Sequence, residues 1–325
     1  MTPIEYIGEI RKVLSELSET TGYPVSRLFR SFLRCYITKR AEVNEFRSLR
    51  LYERSSLLVR EYLLQHEMEA YSDQLNIDMT EEDYLEISDK HLFNRNFAPF
   101  VHRRWLYAPE CTAEELAAFL KSTDAFLVKE CRGMQGHGIQ RFESKDIDPT
   151  AFWEEYRSQS VLLETFIRQH PAMAALNPTS VNTIRLIAAR KNDDICLIGG
   201  GLRVGGAGQF VDNYHNGGVA YPLDLETGIV TGRGYDHEGR PVLRHPTTGH
   251  IMPGFAVPHW AQVLETVHRA ATILPHIGYV GWDIAVTEDG AELIEGNVNY
   301  PGNNVIQLDG PGALKRLTDF IQKTS

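Results

Sequence analysis

Apolar residues fall at two spacings along this chain, and the change from one to the other divides it. Residues 3–17 place Ile4, Ile7, Ile10, Leu14 and Leu17 at helical intervals behind Pro3, and the helical pattern continues from residue 25 to about residue 69. The acidic run at 78–85 is expected to be a break. After it, Ser88 or Asp89 is placed to cap a short helix carrying Lys90. Residues 112–120 read as a helix opened by a capping box of Thr112 and Glu115.

From residue 125 the period shortens to two. Strands are expected at 125–130, 139–142, 161–167, in S-V-N-T-I-R-L-I-A-A-R, and at 195–204. Residues 222–256 are turn-rich and read as a hairpin excursion, 260–274 as an amphipathic helix stopped by Pro275, and 312–323 as a closing helix. Two further strands, 280–286 and 291–300, flank a turn at Asp289-Gly290. Alternation puts Glu295, Asn297 and Asn299 on one face, with Ile294 and Val298 on the other. A three-residue turn would set Asp283 opposite Glu295 and a two-residue turn would offset them by one, so the register stays open.

At 325 residues, 42% hydrophobic and 23% charged, the chain can bury a large core and form two lobes. A net charge of −10 argues against a nucleic-acid partner. Four scattered cysteines without a C-x-x-C suggest free thiols in a reducing compartment. Acids in the first ten residues and no long apolar run leave no expected signal peptide or transmembrane segment, so the cytoplasm is the expected location. Nine Arg/Lys against three acids between residues 22 and 60 read either as solvated helix faces or as a patch for an anionic substrate or membrane surface.

Candidate chemistry gathers in the second part. Two carboxylates and an amide, Asp283, Glu295 and Asn297, form an oxygen set suited to magnesium. Lys129 precedes a loop with Gly133, Gly136 and Gly138, which is either a hairpin turn or a cradle for phosphates, with His137 a ligand or simply exposed. Glu164 interrupts an apolar strand and needs a salt-bridge partner or a ligand. Arg185 and Arg203 suit bidentate grip of phosphate or carboxylate, or structural ion pairs. The Gly/Asn/Asp-rich loop 205–220 follows Arg203.

In order, the set Lys90, Lys129, L-L-E-T-F-I-R-Q-H-P, S-V-N-T-I-R, D-N-Y-H-N-G-G-V and G-W-D-I-A-V…L-I-E-G-N-V-N-Y-P-G resembles the ATP-grasp superfamily, and more narrowly its sugar-transfer-associated family. The resemblance runs from about residue 89 to the C-terminus and leaves the N-terminal helical region unexplained. It implies an α+β ATP-grasp fold, two α+β lobes gripping ATP, with a helical region at 1–85, a lid or small lobe at 86–160 and a core lobe at 161–325. ATP and magnesium, with manganese as a substitute, are the implied cofactors. Lys90, Lys129, Gly133, Gly136, Gly138, Glu164, Thr165, Ile167 and His170 are the implied nucleotide contacts, and Asp283, Glu295 and Asn297 the metal ligands. Arg185, Arg203 and Asn299 are the catalytic candidates. Asn182, Asp212, Asn213, His215, Gly217 and Gly218 are the substrate candidates. The acid that often binds ribose after the hinge is absent, and Gln169 and His170 stand there. The implied activity is carboxylate–amine ligation through an acyl phosphate, acting on small carboxylates and amines such as amino acids or amino sugars, in polysaccharide or natural-product biosynthesis. The alternatives are a kinase acting on a small-molecule or sugar hydroxyl, and a nucleotide-binding protein without turnover.

Overall fold

A computed structural model describes residues 2–133, 138–206, 217–302 and 304–324. The chain opens with helices α1 (Pro3–Thr21), α2 (Val25–Lys39), α3 (Val43–Ser48), α4 (Ser56–Glu61), α5 (Gln65–Leu75), α6 (Glu81–Ser88) and α7 (Lys90–Asn96). The first four enclose a core of their own around Leu14, Leu28, Phe32, Phe46 and Leu51. The acidic run expected as a break is instead the first turn of α6. Thr80 and Asp83 form its capping box, and Glu81 and Glu82 sit where the helix dipole favours negative charge. Asp89, not Ser88, caps α7 by accepting from the His91 backbone N–H.

The small lobe follows as β1 (Trp105–Tyr107), α8 (Ala113–Lys121), β2 (Ala125–Glu130), β3 (Ile139–Glu143), α9 (Pro149–Tyr156) and β4 (Val161–Thr165). Its antiparallel sheet has the order β1-β4-β2-β3. Phe126, Val128 and Leu163 alternate onto the face packed by α8 and α9, which leaves Lys129 and Glu164 on the other. Since β4 is paired on both sides within this sheet, the boundary expected after residue 160 falls beyond Thr165.

The large lobe contains α10 (Pro171–Ala174), β5 (Thr183–Lys191), β6 (Asp194–Val204), β7 (Val219–Pro222), β8 (Gly234–Tyr235), β9 (Pro241–Val242), α11 (Trp260–Ala270), β10 (Tyr279–Thr287), β11 (Gly290–Asn297) and α12 (Leu314–Lys323). The sheet order is β11-β10-β5-β6-β7-β8-β9. Trp282, Ile284, Val286 and Leu293 join α11 in the main core on one face. Tyr279, Ile187 and Ile198 meet α5 and α12 on part of the other. The rest of that second face carries Arg185, Asp283 and Glu295. No helix among the described residues is long and apolar enough to cross a membrane.

Candidate active site

Asp283 stands at the centre of a row running across three strands. It pairs with Arg185 of β5 on one side and with Glu295 of β11 on the other. The turn between β10 and β11 has two residues, Glu288 and Asp289, since Thr287 already pairs with Gly290. Regular pairing from such a turn would offset Asp283 from Glu295. A β-bulge restores the match: Ile284 pairs with Leu293, but Asp283 pairs with Glu295, so Ile294 is the extra residue. The bulge also reverses the alternation. Ala291 and Leu293 enter the core, while Glu295, two residues on, stands beside Asp283 on the other face.

Arg185 grips Asp283 through both oxygens, Nε to Oδ1 at 2.6 Å and Nη2 to Oδ2 at 2.8 Å. Arg203 reaches Oδ2 at 3.0 Å while donating to the Thr183 hydroxyl. Asp283 is 1% exposed, and desolvation alone would raise its pKa. The two guanidiniums overcome that and hold it at about 2. Glu295 shifts the other way, raised by desolvation and then by the charge of Asp283. Asn297 donates to Glu295 Oε1 at 3.2 Å and to the Gly281 carbonyl at 3.4 Å. Each of the three Arg185 nitrogens donates within the protein, Nη1 to the Tyr300 and Pro301 carbonyls. The segment after β11 therefore folds back over the sheet. A Cβ on Gly281 would lie 2.2 Å from the Pro301 oxygen, and one on Gly201 would lie 2.6 Å from Val305. These glycines admit the crossing segment.

Two lysines follow, Lys90 on α7, which packs against both β4 and β11, and Lys129 on β2 of the small lobe. Lys90, the first residue of α7, donates to the Gly133 carbonyl at 2.5 Å. Desolvation lowers its pKa; Glu295 is the carboxylate that opposes this most, and Lys129 adds to the lowering. Lys129 meets Glu164 Oε2 at 2.5 Å. Buried Glu164 also receives the Asn94 amide at 2.9 Å and faces Arg103 Nε at 3.0 Å, and its pKa falls to about 2 despite desolvation, chiefly through Arg103 and then Lys129. Arg103 in turn donates to Glu292 Oε1 at 3.0 Å and to the Leu293 carbonyl at 2.8 Å. One buried guanidinium thus ties β4 of the small sheet to β11 of the large one. Arg103, Asn94 and Glu292 were not among the sequence candidates. Only the charged pair Arg103-Arg104 between the apolar F-V and W-L steps could have flagged the first.

Other candidates scatter more. Thr165 closes β4, and its hydroxyl accepts from the Arg104 N–H at 3.1 Å. Ile167 follows half-buried. His170 caps α10 through Nδ1. Asn182 is a correction: it is fully buried and precedes β5, and its amide donates to the Met173 and Asn177 carbonyls, so it braces the 170–182 segment. The strand expected at 291–300 is shorter. The strand ends at Asn297, and Asn299 is exposed and donates to the Tyr84 hydroxyl. In the glycine loop, Gly138 has φ +72°, and a Cβ there would meet the Glu130 carboxylate. Gly217 and buried Gly218 close the 205–220 loop, whose near end is held by Asn177 and His245 bonding the Gly205 carbonyl, each at 2.8 Å. Gly136, His137, Asp212, Asn213 and His215 lie outside the described residues.

Two carboxylates on one face with an amide beside them fit a hard divalent cation, because the like charges of Asp283 and Glu295 are only partly offset by the arginines. No group of three or more His, Cys, Asp or Glu gathers among the described residues, so any cation here would complete its shell with amide, water or phosphate oxygens.

No curated protein matches this chain in sequence. Among solved structures, the ATP-grasp ligase PsnB complexed with minimal precursor is similar at 15% identity and TM-score 0.45, over 75% of this chain and 63% of that one. An N5-carboxyaminoimidazole synthase from Aspergillus clavatus, in complex with ADP and 5-aminoimidazole ribonucleotide, is similar at 13% identity and TM-score 0.43, over 67% and 46%. An L-amino acid ligase from Bacillus licheniformis follows at 13% identity and TM-score 0.40, over 68% and 42%. The chain thus spans less than two thirds of the length of each of these three. In sequence, residues 81–322 match the family described as sugar-transfer associated ATP-grasp. With three quarters of its length inside that match, and with the α+β lobes described above, this chain belongs to the sugar-transfer associated ATP-grasp family.

Proposed function

We propose that the protein is an ATP- and magnesium-dependent carboxylate–amine ligase that forms an amide through an acyl phosphate. The observation that carries this reading is the packing of α7, which begins at Lys90, against both β4 and β11, beside the Arg103 bridge between the two sheets. This packing supports a shared cleft for Lys90, Lys129 and the carboxylates of the large sheet. Asp283, Glu295 and Asn297 would hold magnesium, which screens phosphate charge when bound. Lys90 and Lys129 would contact the phosphates, and Gly133 and Gly138 would let loop backbone approach them. The 165–167 backbone would border the adenine.

Phosphoryl transfer needs in-line positioning and neutralisation of developing charge, with no covalent residue. Arg203 is suited to holding a substrate carboxylate, since it reaches the same Asp283 oxygen as Arg185 from the next position along the sheet. Arg185 fixes the position of Asp283, and the chain around Gly217 and Gly218 would border the acceptor. The carboxylate attacks the γ-phosphorus and ADP departs. An amine then attacks the acyl carbon, phosphate leaves, and the amine proton passes to solvent or base.

Product analysis with ATP, magnesium and panels of amino acids and amino sugars tests this. ADP with free phosphate and a new amide is the expected result. ADP with a phosphorylated acceptor would establish the kinase reading instead.

A further inference from the structure

Helix α2 is three-sided. Leu28, Phe32, Cys35 and Lys39 face the helical core. A second side exposes Val25, Phe29, Leu33, Tyr36 and Ile37, with Phe29 48%, Leu33 43% and Ile37 71% accessible. The third carries Arg27, Arg30 and Arg34 at i, i+3 and i+7, which share one helix face. Helix α2 contains no acid, in a chain of net charge −10. The arginines make neutral contacts. Arg27 lies over the Tyr23 ring at 3.8 Å, Arg30 Nε donates to the Ser26 carbonyl at 3.3 Å, and Arg34 Nη2 donates to Ser31 Oγ at 3.3 Å. They line a cleft of about 800 Å³ together with Ser31, Ser55 and Arg54. The acid bordering that cleft, Glu53, is already held by Arg50, and Arg54 by Asp309.

We propose that α2 docks this protein on an anionic lipid bilayer, with the apolar side entering the acyl boundary and the arginine row at the level of the phosphates. An apolar stripe bordered lengthwise by cations is the profile of a helix lying in a membrane interface, where burial and headgroup attraction act together. The helix is about 22 Å long, enough to present both sides over several headgroups. Ile4 and Ile7 add exposed apolar surface at the start of α1, and the Tyr6–Glu42 hydrogen bond at 2.8 Å brings that end close to the segment leaving α2. An antiparallel two-fold contact between copies would set arginines against arginines, which disfavours that mode of self-association through this face. The face lies outside the candidate active site, so its test stands or falls separately from the ligase reading.

The full-length chain is tested by co-sedimentation with phosphatidylcholine vesicles, with and without phosphatidylglycerol. Binding is expected only to the anionic vesicles. The triple variant R27Q/R30Q/R34Q should lose about a hundredfold in partition, roughly fivefold for each arginine. The variant F29S/L33S/I37S should lose at least about tenfold through lost burial. Far-UV circular dichroism checks folding, and where a triple variant fails that check, the single substitutions Arg30→Gln and Ile37→Ser decide. Equal binding to neutral vesicles, no vesicle binding, or full binding by either variant would overturn the proposal. So would a dimer dispersed by these substitutions in sedimentation without lipid. Protection by inorganic phosphate without vesicle binding would assign the cleft to a soluble anion and overturn it as well.

Discussion

Arg185 holds Asp283 through both carboxylate oxygens, from the directly paired position of the neighbouring strand. This contact separates the roles of the two acids in the row. Asp283→Asn leaves the buried Arg185 guanidinium without its counter-charge and should cost about 3–5 kcal/mol of stability. Glu295→Gln removes a carboxyl that its surroundings already disfavour in the charged form, so the fold should persist while metal-dependent ATP turnover disappears. Urea unfolding of both variants and a magnesium-dependent turnover assay check the pair. An equal loss of stability in both would contradict the division of roles.

Arg203 is the better test of the acceptor pocket. Arg203→Ala should lower the acceptor-dependent rate by about 10²-fold or more while leaving ATP affinity within about threefold. Arg203→Lys should rescue only part of that loss, because a point charge cannot reproduce the planar fork that reaches Thr183 and Asp283 together. Steady-state kinetics beside calorimetric ATP titration separate these effects. A variant impaired only in ATP binding would remove Arg203 from the pocket.

Arg103 is expected to matter for stability. Its replacement by leucine would take the guanidinium from Glu292 and leave Glu164 with Lys129 as its cation, both acids being nearly inaccessible, and should cost about 3–5 kcal/mol. Thermal or urea unfolding measures it. A cost below about 1 kcal/mol would mean that the bridge between the sheets contributes nothing beyond its desolvation penalty.

The pH dependence has a definite sign. Glu164 and Asp283 both have folded pKa values of about 2, below their ordinary values of 4.5 and 3.8. The folded state therefore binds fewer protons than the unfolded state between these limits. Their contribution is complete above about pH 4.5 and is lost as pH falls towards 2. Glu295, raised above 4.5, acts oppositely and withdraws stability as pH rises through its folded value. Unfolding free energies across this range should fall on the acid side in the native chain. Glu295→Gln should be relatively more stable than the native chain near neutral pH than at pH 4.

The sequence by itself determined the helical opening, the strands β2 to β6, β10 and β11, the Thr112 cap and the candidacy of Asp283, Glu295, Lys90 and Lys129. Those features depend on local periodicity, capping chemistry and residue order, which the chain carries without reference to distant parts. Tertiary structure decided the rest. The Asp283–Glu295 match depends on one extra residue at Ile294, and a bulge is fixed by what each face must pack against, not by the turn alone. Asn182 and Asn299 shared strand motifs with the site, but packing turned one inward and the end of β11 released the other. Arg103 could not be paired from the sequence with Glu164 and Glu292, because 61 and 189 residues separate them and only the approach of the two sheets brings their charges within reach of one guanidinium.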